Sequence, residues 1–368
     1  MASCTRPAIH FLALLLLFLP GATHAGPLNL YVLGDSLLDS GNAYLITQNV
    51  YPLPPYAQRF SNGPVASEVL AANLGVTAIA SELAGGTNYA TGGATSGVAN
   101  FAGIAYGGLA LPPPFNGPPN QIALLSTSTT GGLTQQVGLL AGAPPPDIGS
   151  SLVLIWAGAN DLFLTSALVA NGSLPLAPET FIIAADSAAA NVENAITALI
   201  AAGARNILAV NLPDLGMIPA GTDPANLLSP FWSAYTAEFN AQFLDAAYLA
   251  GLDPSVKLTE FDAFELFNDA IANPGKYGFT NVTDACLPTA GPLPIAAPCA
   301  NPDEYLFWDS AHPTAAAHQL IGDLFYAAIP EPASLALIMA PLALLILRSR
   351  RQPDAVRRSS RTSSRGRG

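Results

Sequence analysis

Charge is what this sequence has least of. Only 10% of its 368 residues are Asp, Glu, Lys or Arg, while 51% are hydrophobic. That composition is the opposite of a disordered chain's and supplies ample apolar material for a core. Basic residues are the scarcest and are unevenly placed. Of 13, Arg6 lies near the N-terminus and eight Arg lie between Arg348 and Arg367. Between Gly26 and Pro330 only Arg59, Arg205, Lys257 and Lys276 stand against 23 acids, a net charge of −19 for that stretch. Such a surface repels phosphate backbones, so a nucleic-acid-binding body is excluded.

Histidine and cysteine are also rare. The chain has four His and three Cys, and none of them clusters at metal-ligand spacing. No metal site and no cofactor is expected, although a carboxylate-only Ca²⁺ site on the acidic surface stays open. No G-x-S-x-G is present, which removes the nucleophile elbow of α/β-hydrolases. The pairs Gly85-Gly86 and Gly92-Gly93 have no G-K-[ST] after them, so a phosphate loop is not supported. Turn formers are plentiful instead: 32 Gly and 33 Pro, without a collagen-like period.

The two ends read as address labels. In residues 1–25, Arg6 precedes the unbroken apolar run Phe11 to Leu19, Pro20-Gly21 breaks it, and Thr23 and Ala25 occupy small-residue cleavage positions. That is the pattern of a signal peptide, and the run is too short to span a bilayer. With Cys4 removed, Cys286 and Cys299 remain as an even pair in an oxidising compartment, separated by twelve Pro- and Gly-rich residues. A disulfide there would clamp the segment just before Asp309; two inert thiols are the alternative. At the other end (330–368), Pro330-Glu331-Pro332 is followed by an uncharged, mostly apolar stretch, Ala333 to Leu347, and then by Arg348, Arg350 and Arg351. As a helix it would reach about 22 Å, with the arginines on the cytoplasmic side. The combination resembles the PEP-CTERM sorting signal of bacteria. The resemblance implies a Gram-negative exporter, a transient inner-membrane anchor, a sorting protease of the exosortase type, and release to the cell surface or extracellular matrix. A simple tail anchor or an RNA-binding arm are the other readings, the latter at odds with an exported body.

Between the ends, short apolar runs alternate with helical periodicity. Strands are expected at Asn29–Leu33, Leu152–Trp156, Asn206–Val210 and Val256–Phe261. Helices are expected at Ala66–Leu74, Leu133–Leu140, Pro178–Ala202, Phe231–Leu249 and Pro313–Ala328, the last with Pro in its first turn. Residues 100–120, with Phe101, Tyr106 and Phe115, show no clear period. The alternation predicts one α/β domain over 26–329: a mostly parallel sheet between two helix layers. In such sheets ligands bind beyond the carboxyl ends of the strands. The polar blocks at those ends are Gly34-Asp35-Ser36-Leu37-Leu38-Asp39-Ser40-Gly41-Asn42, Gly85-Gly86 to Gly92-Gly93-Ala94, Ala157-Gly158-Ala159-Asn160-Asp161, and Trp308-Asp309-Ser310-Ala311-His312-Pro313.

In order and in local sequence these blocks resemble the GDSL lipase/esterase family, the SGNH hydrolases, with the four letters at Ser36, Gly93, Asn160 and His312. Arg59 to Gly63, Asn211 to Gly216 and Tyr277 to Thr283 resemble its bacterial esterase and lecithinase branch. The resemblance implies a flavodoxin-like three-layer α/β/α sandwich and ester hydrolysis. It assigns the oxyanion donors to the backbone N–H of Ser36, that of Gly93, and the side-chain amide of Asn160; Gly92 is an alternative by register.

The residues support that chemistry independently. A serine hydroxyl needs a base, and the mature chain offers only His312 and His318. His318, inside the last helix, is expected to be a partly exposed surface residue. His312 stands at the helix entrance with Asp309 three residues earlier, able to bond the other ring nitrogen. Asp35 and Asp161 are expected to bond loop amides. Asp309→Asn is expected to harm turnover less than His312→Ala, a main-chain carbonyl keeping the ring oriented. Activity is expected to fall below about pH 6 as the imidazole takes up a proton. The expected substrate is a carboxylic ester of short to medium chain. The aromatic stretch 100–120 favours acyl chains if it is not simply a covered loop, and the sorting tail favours acetylated polysaccharide. A non-catalytic matrix-binding protein is the reading from another class.

Overall fold

The computed structural model describes residues 29–76, 79–109, 111 and 121–329; the signal-like N-terminus, Phe115 and the Pro-Glu-Pro tail lie outside the described residues. Four apolar runs, β1 (Leu30–Gly34), β2 (Leu152–Trp156), β3 (Asn206–Val210) and β4 (Lys257–Phe261), pair in parallel in that order. Every residue of β1 and β2 is buried, as strands covered on both faces require. On the far side of β1, residues 87–91 act as a rudimentary strand: Val32 N–H donates to Thr87 O (3.0 Å) and Tyr89 N–H to Val32 O (2.8 Å). Counting it, the second strand of the chain lies outside the first and the third inside. The winding therefore reverses between β1 and β2, where flavodoxin-like sheets bind ligands.

The nine longer helices or single turns that matter are α1 (Asn42–Ile46), α2 (Ala66–Leu74), α3 (Phe101–Tyr106), α4 (Leu133–Gly142), α5 (Ala159–Ala170), α6 (Pro178–Ala201), α7 (Ser229–Gln242), α8 (Ala263–Ala272) and α9 (Ala315–Ala328). One layer is built on α2 against α9; the other centres on α6, which contacts α4, α5 and α7. The α6 stripe Phe181, Ala185, Ala188, Val192, Ala195 and Leu199 is buried at helical spacing. Phe181 stacks on Phe231 of α7 at 4.9 Å. The expected α/β class and three-layer sandwich are what the chain adopts.

Local expectations need four corrections. The helix expected at Phe231–Leu249 is two pieces, α7 and Ala246–Ala250, because Leu244 takes φ 52 and the Asp245 side chain caps a new start by accepting Tyr248 N–H. Residues 100–120 contain the helix α3, its N-cap Asn100 accepting Gly103 N–H. Pro313 is not in the first turn of α9, which starts at Ala315 behind the cap Thr314. His318 is not on the surface. It is 0% exposed, its Nδ1 accepts Ala66 N–H at 3.2 Å, and its Nε2 has no hydrogen-bond partner among the described residues.

Burial, and then the charge of nearby His312, push the His318 imidazole down from 6.5 to about 3. A histidine depressed in this way leaves the folded state with fewer bound protons than the unfolded one between those values. Stability is then lost as pH falls below 6.5, by about 1.4 kcal/mol per pH unit for one group. The buried Asp35 and Asp161, both raised, act in the opposite sense over part of that range, so the difference between two proteins is the clean observable. Between pH 6 and 4, His318→Gln should lose about 2–3 kcal/mol less stability than the wild type in urea titrations; parallel losses would contradict this buried, neutral state.

Cys286 and Cys299 form a disulfide. The N–H groups of Cys286 and Leu287 donate to Phe307 O (3.1 Å) and Trp308 O (2.6 Å), so the base of the closed loop is tied to the strand Tyr305–Phe307 that leads into Asp309.

Candidate active site

β1 ends in a glycine because its neighbour leaves no room for anything else: a Cβ on Gly34, at φ 150, would lie 2.2 Å from Trp156 O. Gln136 of α4 clamps this residue, accepting Gly34 N–H and donating to Gly34 O, both at 2.8 Å. The chain then turns through Asp35, whose Oδ1 accepts Leu37 N–H at 3.0 Å, and presents Ser36 with 8% of its surface exposed.

His312 arrives from the other end of the chain. Its Nε2 lies 2.8 Å from Ser36 Oγ, across 276 residues of sequence, and its Nδ1 lies 2.7 and 2.9 Å from the two oxygens of Asp309. With Nδ1–H given to the carboxylate, Nε2 is left to accept from the serine hydroxyl. Asp309 Oδ1 also accepts the N–H groups of Ala311 and His312, each at 2.8 Å, and Oδ2 accepts the Tyr56 hydroxyl at 2.5 Å. No main-chain carbonyl reaches Nδ1 among the described residues, so the orientation expected from such a carbonyl rests on Asp309 alone. The block Arg59 to Gly63 fixes the loop from outside: Ser61 Oγ donates to Pro313 O (2.9 Å), Asn62 Oδ1 accepts Ala315 N–H (2.7 Å), and the Phe60 ring lies 5.3 Å from the His312 ring.

Burial opposes charge on Asp309, but the facing imidazole, the Tyr56 hydroxyl and Ala311 N–H hold its carboxyl below the ordinary 3.8. Burial likewise depresses His312, yet the charge and hydrogen bond of Asp309, with Asp35 behind, outweigh it and hold the imidazole above 6.5. A base must be neutral to take a proton, so kcat/KM should fall tenfold per unit as pH drops through a midpoint above 6.5, rather than below about 6. A kcat/KM profile with p-nitrophenyl acetate that stays flat down to pH 5 would contradict this.

The second loop distinguishes the two glycines by what their N–H groups meet. Gly92 N–H is committed to Asp39 Oδ2 at 2.8 Å. Gly93, at φ 82, has no room for a Cβ, which would lie 2.7 Å from both Ala102 Cβ and Asn100 Oδ1. The N–H groups of Gly93 and Ser36 have no hydrogen-bond partner among the described residues, and both residues line the same cavity. Asn160 lies in the first turn of α5, where the helix end favours negative charge. Unlike the two backbone donors its amide is occupied, with Nδ2 3.1 Å from Ala94 O and 3.3 Å from Asp35 Oδ2. Asp35 thus does more than bond a loop amide. Burial pushes its carboxyl up to about 7 against Leu37 N–H and the charge of His312. Asp161 behaves as expected, accepting the N–H and hydroxyl of Ser96, each at 2.8 Å.

Sequence reading gave no role to Asp39, which lies in the first polar block, nor to Gln136, Asn100 and Tyr56. Asp39 is the hinge of the site: it accepts the N–H groups of Gly41, Asn42 and Ala43 as well as Gly92, and so locks the serine loop to the glycine loop. Its only sequence signal was a D-S-G-N turn after the strand. Among the described residues no group of three or more His, Cys, Asp or Glu is placed to hold a metal ion.

A cavity of about 230 Å³ opens at Ser36, walled by Tyr51, Phe60, Phe101, Tyr106, Phe163 and Trp232. A second, of about 30 Å³, shares Ser36, Asn160 and His312 and runs between Leu37, Leu215, Ile218 and Phe267.

Comparison with known proteins fits this geometry. The family model described as GDSL-like lipase/acylhydrolase matches residues 30–325. Similar curated proteins include GDSL esterase/lipase At3g50400 of Arabidopsis thaliana, 27% identical over 343 residues and covering 80% of this chain and 85% of the relative. GDSL esterase/lipase APG of the same plant is 29% identical over 332 residues, covering 78% and 87%. With the family model spanning nearly the whole described chain, this protein belongs to the GDSL-like lipase/acylhydrolase family and is an ester-hydrolysing enzyme.

Proposed function

We propose that the chain is an exported serine carboxylesterase acting on esters of short to medium acyl chain. The observation that carries this reading is the 2.8 Å approach of Ser36 Oγ to His312 Nε2, with Asp309 on the opposite ring nitrogen. In the first half-reaction His312 Nε2 takes the hydroxyl proton while Ser36 Oγ bonds to the ester carbonyl carbon. The charge that develops on the carbonyl oxygen is met by Ser36 N–H, Gly93 N–H and Asn160 Nδ2, the amide exchanging its 3.3 Å contact with Asp35 for the oxyanion. The imidazolium then gives its proton to the leaving alkoxide and an acyl-serine remains. Water attacks that ester with His312 again as base; the acid leaves and Ser36 regains its proton.

The aromatic walls favour an apolar acyl group, and about 230 Å³ is below the roughly 300–1,000 Å³ of sites for drug-sized ligands. The full chain should therefore hydrolyse p-nitrophenyl esters best between acetyl and octanoyl and poorly at palmitoyl. A palmitoyl optimum would make it a long-chain lipase; preference for acetylated xylan would favour the polysaccharide O-acetylesterase. Residues 26–329 are assigned to the hydrolase. Export rests on the signal pattern of 1–25 and the oxidised cysteine pair, and surface or matrix sorting on 330–368.

A further inference from the structure

The carboxylate of Asp309 is held by its own turn except at one point. Asp309 receives two backbone N–H groups and the imidazole from within residues 309–312. Its remaining donor, the Tyr56 hydroxyl, comes from 253 residues away and meets Oδ2, the oxygen closest to His312 Nδ1. The Tyr56 ring is fixed as well, packing edge-on against Trp308 at 6.1 Å and 86°. Burial, and then the charge of Asp309, push the phenol well above 10, so it stays a donor at any working pH. The same loop places Phe60 against the imidazole.

Resting on the serine-esterase reading, we infer that Tyr56 is a positioning residue of the reaction: its hydroxyl shares Asp309 Oδ2 with His312 and so sets both the direction and the strength of the carboxylate–imidazole pair. A carboxylate that accepts a strong hydrogen bond from a phenol has less charge to offer the imidazolium. Without that bond, Oδ2 serves His312 alone, grips its protonated form more tightly, and makes the neutral base scarcer at pH 7. The other titratable groups facing the pair are Asp35 behind Ser36, Tyr51 and Tyr106 across the cavity, and His318 beneath. Tyr56→Phe leaves all of them in place.

The test is the pH profile of kcat/KM for p-nitrophenyl acetate with the full-length wild type, Tyr56→Phe and Ser36→Ala, each checked for an unchanged melting temperature. Tyr56→Phe should move the acid limb upward by about half to one pH unit and lower kcat about tenfold at pH 7, with KM within about threefold. A limb that stays in place or moves down overturns the inference, even if activity falls, because loss of packing alone does not retune the base. Should Tyr56→Phe not fold, the wild type grown on 3-fluorotyrosine, a more acidic phenol and stronger donor, should show a lowered limb; an unmoved one overturns the inference. Turnover that survives in Ser36→Ala defeats the serine-esterase reading itself, whereas an inactive Ser36→Ala beside an unmoved Tyr56→Phe limb defeats only the role of Tyr56.

Discussion

Ser36→Ala should reduce turnover of p-nitrophenyl acetate by about 10⁴–10⁶-fold, leaving the small residue that oxyanion donors and binding supply on their own. The loss is expected to be this large because, among the described residues, no other hydroxyl or thiol is hydrogen-bonded to His312 Nε2. The Ser36 hydroxyl is the one poised on His312 Nε2, and the cysteines of the described chain are joined to each other. The fold should not notice. Among the described residues Ser36 Oγ makes no hydrogen bond other than that to His312, so the melting temperature should stay within a degree or two. Equal turnover by the two proteins would return the site to a binding role.

Asp309→Asn carries the second large effect, about 10⁴-fold in kcat, comparable to His312→Ala. The sequence alone suggested a milder outcome, with a main-chain carbonyl holding the ring. Among the described residues Nδ1 meets only the two oxygens of Asp309. In the variant the amide oxygen is drawn to the N–H groups of Ala311 and His312, which now grip Oδ1 at 2.8 Å. The amide NH₂ then faces the ring, favours the tautomer with its proton on Nε2, and leaves the serine without an acceptor. A kcat loss under tenfold for Asp309→Asn, beside a full loss for His312→Ala, would show that the ring is oriented by something else.

The parts of this site that were legible in the sequence are those that follow strand ends. Ser36 and Asn160 close the two buried runs Leu30–Gly34 and Leu152–Trp156, whose hydrophobicity marks them as central strands whatever their tertiary surroundings. His312 was legible by elimination, there being so few histidines. Burial of His318 was also written in the chain and was overlooked. With Ile321, Gly322 and Phe325 it completes an i, i+3, i+4, i+7 stripe, and α9 lies so close to α2 there that a Cβ on Gly322 would sit 2.5 Å from Val69 Cβ. Tyr56 and Gln136 were not legible, since a single long-range hydrogen bond leaves no periodicity or spacing behind. The break after α7 has no Gly or Pro to announce it, only the capping carboxylate of Asp245.

The most direct measurement is to treat the full-length protein with a fluorophosphonate ester and locate the adduct by peptide mass mapping. One phosphonyl group should appear, on the peptide carrying Ser36, in step with loss of esterase activity, and Ser36→Ala and His312→Ala should label at background rate. Stoichiometric labelling at a different serine, or full activity in protein already labelled at Ser36, would contradict a nucleophile at this position.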